Sequence, residues 1–318
     1  MTKNDVALRC NLITLSEDAD YPHKTMIDYS SDEISSEESR ELINEVNKHF
    51  NSNQITFHAG ISYRHCMVWD KGPLELNLIP PHDILEKKIT EYLPKGENTQ
   101  LLLKMMIESY GFLKEHPINL SRIQRGLRPA NSIWLWGEGK KPSLPSFKEK
   151  YNINGSVISA VDLIKGISIC AGLKSIDVEG ATGNIHTNFS GKANAALKEL
   201  EDGQDFVYVH VEAPDESGHR FEIENKVRAI ELIDDMVVGT LLKGLEKFSD
   251  FRIMVLPDHP TPLSLRTHTS EPVPYLIYQK NREKVSTVGG YDESEAKKTN
   301  RFIEDGYTLM NYFIQSKT

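Results

Sequence analysis

FVYVHVEAPDESGH, residues 206–219, is an apolar run that stops at a carboxylate and an imidazole four residues apart, Asp215 and His219. A second stretch, FRIMVLPDHPTP at 251–262, repeats the plan with Asp258 and His259. Near-continuous apolar runs of this length read as strands covered on both faces, which is the habit of parallel sheets flanked by helices. In such sheets ligands settle beyond the carboxyl ends of strands. Both Asp–His pairs stand there, and His268 in RTHTSEP follows shortly after.

The flanking segments agree with that plan. SIDVEG (175–180) and VPYLIYQ (273–279) read as further strands, and SVISAVDLIKGISICAGL (156–173) as a helix. SGKANAALKELEDG (190–203), EIENKVRAIELIDDMVVGTLLKGLEKF (222–248) and SEAKKTNRFIEDGYTLMNYFI (294–314) also read as helices. Strands alternating with helices make βαβ units and a mostly parallel sheet. Residues 1–150 mix the two kinds of element. A capping-box pattern, Ser35 to Glu38, opens a helix in EISSEESRELINEVNKHF (33–50). TQLLLKMMIESYGFLKEH (99–116) has helical apolar spacing. ITFHAGIS (55–62), HCMVW (65–69), LNLIP (76–80) and SIWLWGEG (132–139) read as strands. Trp134 and Trp136 are taken as packing residues on opposite sides of the last one. GEGKKPSLPSFKEK (137–150), rich in Gly, Pro, Ser and Lys, marks a boundary, so two domains are expected, 1–150 and 151–318.

Composition narrows the function classes. A net charge of −9 argues against nucleic acid as the main partner. No apolar run approaches the roughly 20 residues of a membrane span, and MTKNDVALRC lacks a signal-peptide apolar core. Cys10, Cys66 and Cys170 are odd in number and far apart, so they read as reduced thiols in a cytoplasmic protein. The glycines of GEGKK lack the spacing of a phosphate-binding P-loop.

Carboxylate oxygen and imidazole nitrogen together suit Zn, Mn or Mg-like ions. Pro214, Pro257, Pro260 and Pro262 stiffen the turns that carry them. A lone DxxxH is more often a surface pair on a helix, and a lone Asp-His a turn. Five such residues at the strand ends of one sheet favour metal. They are too many for one open mononuclear site and too few for two complete ones, so a dinuclear site with further ligands fits the count.

VYVHVEAPDESGH (207–219), LPDHPTP (256–262), RTHTSEPVPY (266–275) and ATGNIHTNFSGKANAAL (181–197) resemble the archaeal-type, cofactor-independent (2,3-bisphosphoglycerate-independent) phosphoglycerate mutases of the alkaline phosphatase superfamily. DVALRCNLITL (5–15), GISYRH (60–65), LRPANSIWLWGEGKKPSLPSF (127–147) and the 156–173 stretch are similar to that family's inserted domain and its junction, so the resemblance covers essentially the whole chain. It implies an α/β fold: an alkaline-phosphatase-like core with a mostly parallel sheet sandwiched by helices, here residues 151–318, plus an inserted α+β cap at 1–150 that covers the substrate. It implies two divalent ions, Mn or Mg with Zn or Co as alternatives, and no organic cofactor. Asp215, His219 and His268 would hold one ion, and Asp258 and His259 the other. The implied reaction interconverts 3-phosphoglycerate and 2-phosphoglycerate through a phosphoserine, a step of glycolysis and gluconeogenesis.

A substrate bearing a phosphate and a carboxylate calls for arginines, which grip both with two hydrogen bonds. Arg128 in LRPAN is the first candidate, with Asn131 near it; Arg64 and His65 in SYRH and Arg9 in LRCN come next. Lys140 and Lys141 read as a solvated loop, and His58, His82, His186 and His210 as structural.

The family's opening strand, which ends in a metal-binding aspartate, and the serine nucleophile that follows have no counterpart in this sequence. Ser217, Ser264 and Ser270 lie near the ligands but do not match the nucleophile's position. The expectation is therefore a fragment or truncated form that binds metal without completing the mutase cycle. Poor solubility, dimerisation through an open sheet edge, or a rearranged sheet would follow. Two other readings compete: a hydrolase or mutase of the same superfamily acting on another phosphate or phosphonate ester, and a catalytically silent metal-binding protein.

Overall fold

In the computed structural model, which describes residues 1–17, 20–285 and 287–315, the chain divides into two compact units, Met1–Pro142 and Ser143–Thr318. The division falls at 142/143, inside the Gly/Pro/Lys stretch and ahead of the 150/151 boundary read from the sequence.

The first unit is a sheet with helices. Its strands are β1 (Val6–Leu15), β2 (Met26–Asp28), β3 (Ile55–Ile61), β4 (Arg64–Trp69) and β5 (Ser132–Lys140). Its helices are α1 (Ser36–Phe50), α2 (Gln100–Leu113) and α3 (Pro117–Gln124). β1 is the seam: it pairs antiparallel with β4 along Val6–Asn11, with β5 along Val6–Ile13, and with β2 at Thr14 and Leu15. Leu12, Ile13 and Leu15 are at most 1% exposed, and each buried side chain of this size contributes about 1.5–3 kcal/mol. Residues 76–80 form no strand, because the chain there runs into Pro80 and Pro81, which fix φ and offer no N–H to a ladder. Trp134 and Trp136, two residues apart on β5, stand opposite Asn11 and Arg9 of β1 on one side of the sheet, since side chains two apart share a face. That corrects the expectation of opposite sides.

Ser35 caps α1 by accepting the Glu38 N–H, while the Glu38 carboxylate pairs with Arg122 and Arg125. Arg122, 2% exposed, also donates to the carbonyls of Ser31 and Arg128. Ser31, Asp32 and Glu33 run consecutively through the left-handed region, at φ 52°, 56° and 49°. Asp28 holds this turn by accepting from the Ser30 and Asp32 N–H groups.

The second unit carries three parallel strands in the order β7-β6-β8: β6 (Gly155–Ile158), β7 (Lys174–Ile176) and β8 (Phe206–Val209). A separate antiparallel pair is formed by β9 (Arg252–Val255) and β10 (Leu276–Gln279). The helices are α4 (Phe147–Tyr151), α5 (Asp162–Cys170), α6 (Phe189–Glu201), α7 (Ala213–His219), α8 (Ile223–Leu232), α9 (Gly239–Leu245), α10 (Glu293–Lys298) and α11 (Leu309–Gln315). The stretch read as one helix at 156–173 is a strand followed by a helix. β6 is buried along its whole length between β7 and β8, and the Ser159 hydroxyl accepts the Val161 N–H to turn the chain. The closing helix is also interrupted, at Asn300, which takes φ 54°, and at the turn before Gly306. Between α8 and α9 the helix widens to a π-helical turn at Ile233–Val238. No helix of the described residues is long and apolar enough to cross a membrane.

Candidate metal centre

The site grows from the carboxyl ends of β8 and β9. After β8 the chain turns at once into α7, whose first turn holds Pro214, Asp215 and Glu216. Proline fits a helix's first turn, where its missing N–H has no partner to lose, and carboxylates there meet the positive end of the helix dipole. Seven residues of helix place Asp215 and His219 one turn apart on one side: His219 Nε2 lies 3.3 Å from Asp215 Oδ2. After β9, the proline-stiffened loop at 257–262 delivers Asp258 and His259, and the next loop delivers His268.

These side chains meet. Donor atoms of Asp215, His259 and His268 all lie within 4.8 Å of one another. His268 Nε2 is 3.3 Å from Asp215 Oδ1 and 3.0 Å from His219 Nε2. The rings of His259 and His268 stand 3.7 Å apart. Asp258, more exposed, lies against His259 with 3.3 Å between its Oδ2 and Nε2. Asp215 is the centre of the group. The three residues in closest mutual reach are drawn from both of the ligand sets that the resemblance separates.

Proton placement follows from the partners. His219 Nδ1 lies 2.9 Å from the Arg266 carbonyl, which can only accept, so Nδ1 carries the hydrogen and the neutral ring turns a lone pair outward at Nε2. Arg266 takes φ 54° to aim that carbonyl, and its guanidinium lies over the Phe221 ring. Such strain is characteristic of sites where geometry serves chemistry. His219 Nε2 faces His268 Nε2 at 3.0 Å beside a carboxylate, and a cation satisfies all three groups at once. Oxygen and imidazole nitrogen, without thiolate, form a donor set for a divalent ion of borderline or hard character. The residues therefore fit a metal.

Three further groups border the site: Lys192 and Thr261, which the sequence reading passed over, and His210, which it took as structural. Lys192 of α6 is fully buried, and its Nζ donates to the His210 carbonyl at 3.0 Å. Burial pushes its ammonium down to about 8, against the opposing pull of Glu212. His210 stands just past the end of β8, its Nδ1 3.2 Å from the Ser159 hydroxyl. Burial lowers its pKa, and the charges of Asp258 and Asp215 oppose the shift. Thr261, 5% exposed, donates its hydroxyl to Asp215 Oδ1 and lies 3.4 Å from His259 Nδ1. The one advance signal was position: all three follow or face a strand's carboxyl end.

Ser217 is buried and its hydroxyl is spent on the Ala213 carbonyl; Ser264 and Ser270 are exposed.

The residues expected to grip substrate lie in the first unit and divide into two kinds. Arg128 is half exposed, its Nη1 3.2 Å from Asp28 and 3.5 Å from Asp32. Arg9 lies over the Trp136 ring and Arg64 over the Tyr63 ring. Asn131 and His65, by contrast, are buried. The Asn131 amide is used twice on the Leu15 backbone, at 2.8 Å each, which makes it a strand clamp. His65 points into the core side of β4, accepts the Gly60 N–H at Nδ1, and has no partner at Nε2. Burial pushes its pKa down to about 4.

Comparison with known proteins gives the same direction. The signature of the metalloenzyme superfamily matches residues 20–315. A Geobacter sulfurreducens protein named "probable 2,3-bisphosphoglycerate-independent phosphoglycerate mutase" is 47% identical over 313 residues, which span 98% of this chain and 77% of that protein. A Methanosarcina barkeri 2,3-bisphosphoglycerate-independent phosphoglycerate mutase is 42% identical over 319 residues, 100% of this chain and 78% of its own length. Among solved structures, a Pyrococcus horikoshii protein superposes with a TM-score of 0.72 at 27% identity, covering 94% of this chain and 70% of that one. A Thermoplasma acidophilum cofactor-independent phosphoglycerate mutase superposes at 0.61 over 99% and 77%; at 19% identity it supports the fold alone.

Proposed function

Because the chain belongs to the metalloenzyme superfamily and, within it, to the 2,3-bisphosphoglycerate-independent phosphoglycerate mutases, we infer that it serves the divalent-metal-dependent interconversion of 3-phosphoglycerate and 2-phosphoglycerate. The observation that carries this reading at the level of the site is the meeting of Asp215, His219, His259 and His268 beyond two strand ends. We propose two ions, Mn or Mg with Zn or Co as alternatives, held by these four residues and Asp258. Bound there, divalent cations would neutralise charge on the phosphoryl oxygens and lower the pKa of a coordinated hydroxyl.

The chain's own residues have definable tasks in this proposal. Arg266 and Thr261 orient the two imidazoles whose Nδ1 atoms they contact. Lys192, a buried cation within reach of the His210 carbonyl, supplies positive potential behind the ligands. In the first unit, Arg128 is the proposed anion-binding arginine, with its guanidinium oriented by Asp28 and Asp32; Arg64 and Arg9, each laid on an aromatic ring, are the next candidates. We assign the first unit the substrate-capping role, the second the metal-binding role, and the cytoplasm as the place of action. None of Ser217, Ser264 or Ser270 is assigned as the phosphoryl acceptor.

The test is phosphoglycerate mutase activity of the 318-residue chain with added Mn²⁺, alongside metal titration. Turnover that chelation abolishes supports the full reading. Metal binding without turnover supports the catalytically silent alternative, which the engaged Ser217 hydroxyl favours. Absence of any divalent-metal binding would sink both.

A further inference from the structure

Two ligand-bearing segments are tied together by groups that are not themselves ligands. The segment at 213–219 carries Asp215 and His219, and the loop at 257–262 carries Asp258 and His259. They are far apart in sequence, so nothing in the chain's local geometry fixes their separation. The Thr261 hydroxyl spans it: it donates to Asp215 Oδ1, and its remaining lone pair faces His259 Nδ1 at 3.4 Å. An Oγ that gives its hydrogen to a carboxylate keeps lone pairs for an imidazole N–H, so Thr261 favours the His259 tautomer with hydrogen on Nδ1, and a cation between Nε2 and the Asp258 Oδ2 that faces it at 3.3 Å would satisfy both. One residue thereby contacts both a carboxylate and the imidazole Nδ1 of the other segment.

The spacing is enforced by a second group. Lys226 of α8 donates to the carbonyls of Pro214, at 2.9 Å, and of Thr261, at 3.1 Å, one on each segment. Between them the fit is close: a Cβ on Gly218 would lie 2.7 Å from the Thr261 carbonyl oxygen and 3.0 Å from Lys226 Nζ, so only glycine is accommodated there.

We propose that Thr261 is a positioning residue that couples the Asp215 and His259 ligand groups, and that Lys226 with Gly218 braces the two segments at the separation this coupling needs. The inference rests on the metal-binding reading above and names what presets it. It makes an unusual prediction of sign. Lys226 is a cation whose charge is felt by Asp215, so on charge alone its removal would tighten binding of a metal cation. As a brace, its removal loosens binding.

The experiment is a Mn²⁺ titration of the full chain followed by electron paramagnetic resonance of the free ion, with the visible spectrum of Co²⁺ as a report on ligand geometry. Thr261→Val is expected to weaken binding about 10- to 100-fold, the range for partners that orient metal ligands, and to alter the Co²⁺ spectrum. Thr261→Ser, which keeps the hydroxyl, is expected to restore both. Lys226→Met is expected to weaken binding about 10-fold, with the metal-free unfolding midpoint held near that of the parent. Should the valine variant fail to fold, the lysine variant decides by its sign. Tighter or unchanged Mn²⁺ binding in Lys226→Met overturns the brace. Parental affinity in Thr261→Val, or equal loss in Thr261→Ser, overturns the coupling role. A parent chain that binds no divalent ion overturns the functional reading itself, an outcome distinct from these.

Discussion

Strands β1 and β9 are both apolar runs, yet Leu12–Leu15 of β1 are at most 4% exposed while all four residues of β9 are only partly buried. β1 has neighbours on both edges; among the described strands β9 has β10 alone. The buried centre of the first unit is built from Leu, Ile, Met and Trp134. The cluster beside the candidate metal centre is built on Phe189, Val237 and three alanines, Ala193, Ala213 and Ala229. Small side chains let α7 pack closely on α8, while α6 packs on β8, and Lys192 and Asp215 both come near the end of β8. The same choice removes apolar area that would otherwise stabilise the second unit. One unit is organised around packing and the other around polar groups brought close together.

The largest expected effect tests that contrast directly. Leu12→Ala should lower stability by about 2–5 kcal/mol, because a full cavity opens in a rigid interior. Met254→Ala on β9 should cost roughly half as much, since less area leaves contact with protein. Denaturant unfolding of both variants measures the pair, and equal losses would break the comparison. Next in size, Mn²⁺ at about 100 times its dissociation constant should raise the stability of the second unit by about 2.7 kcal/mol and leave the first unchanged. Calorimetry with and without metal reads this, and Asp215→Ala should erase the gain.

A further set of effects concerns pH, and they run to opposite ends of the scale. His65 in the first unit is held down to about 4 by burial, against an ordinary 6.5. The unfolded chain therefore takes up a proton first, and stability of that unit falls as pH drops from 6.5 through 4. Lys192 in the second unit is held down to about 8, against 10.5. There the unfolded state holds the extra proton between those values, so stability rises as pH climbs from 8 towards 10.5. His65→Gln and Lys192→Met should each flatten only its own slope in unfolding midpoints measured across pH. A slope unchanged in either variant would remove that residue from the account.

How far the sequence could be read depended on whether the deciding contacts were local. Asp215, His219, Asp258 and His259 were visible because each follows an apolar run within a few residues, whereas His268 stands further along the loop after β9. The βαβ rhythm was visible from the same apolar runs, but the expectation of one parallel sheet is corrected, since β9 pairs antiparallel with β10 apart from β6, β7 and β8. β6 was missed because its strand passes into α5 across Ser159, Ala160 and Val161, a short turn with no glycine or proline to punctuate the apolar pattern. LNLIP misled because its apolar content suited a strand while its closing prolines did not. Asn131 and His65 sit beside plausible substrate arginines in sequence, but Asn131 is drawn inward by its bonds to the Leu15 backbone and His65 by the alternation of β4. Lys192 looks like any lysine on an amphipathic helix, and Thr261 like a turn residue between prolines. What each does is set by a partner that only the folded chain brings near.

The position of β1 has a consequence in time as well as in energy. A strand bonded along both edges cannot free its amides by fraying at one side, so their exchange with deuterated water waits for the opening of the whole unit. β1 should hold its hydrogens longest and outlast β9, so isotope labelling would show the residues around the candidate metal centre loosening while the seam of the first unit stays shut.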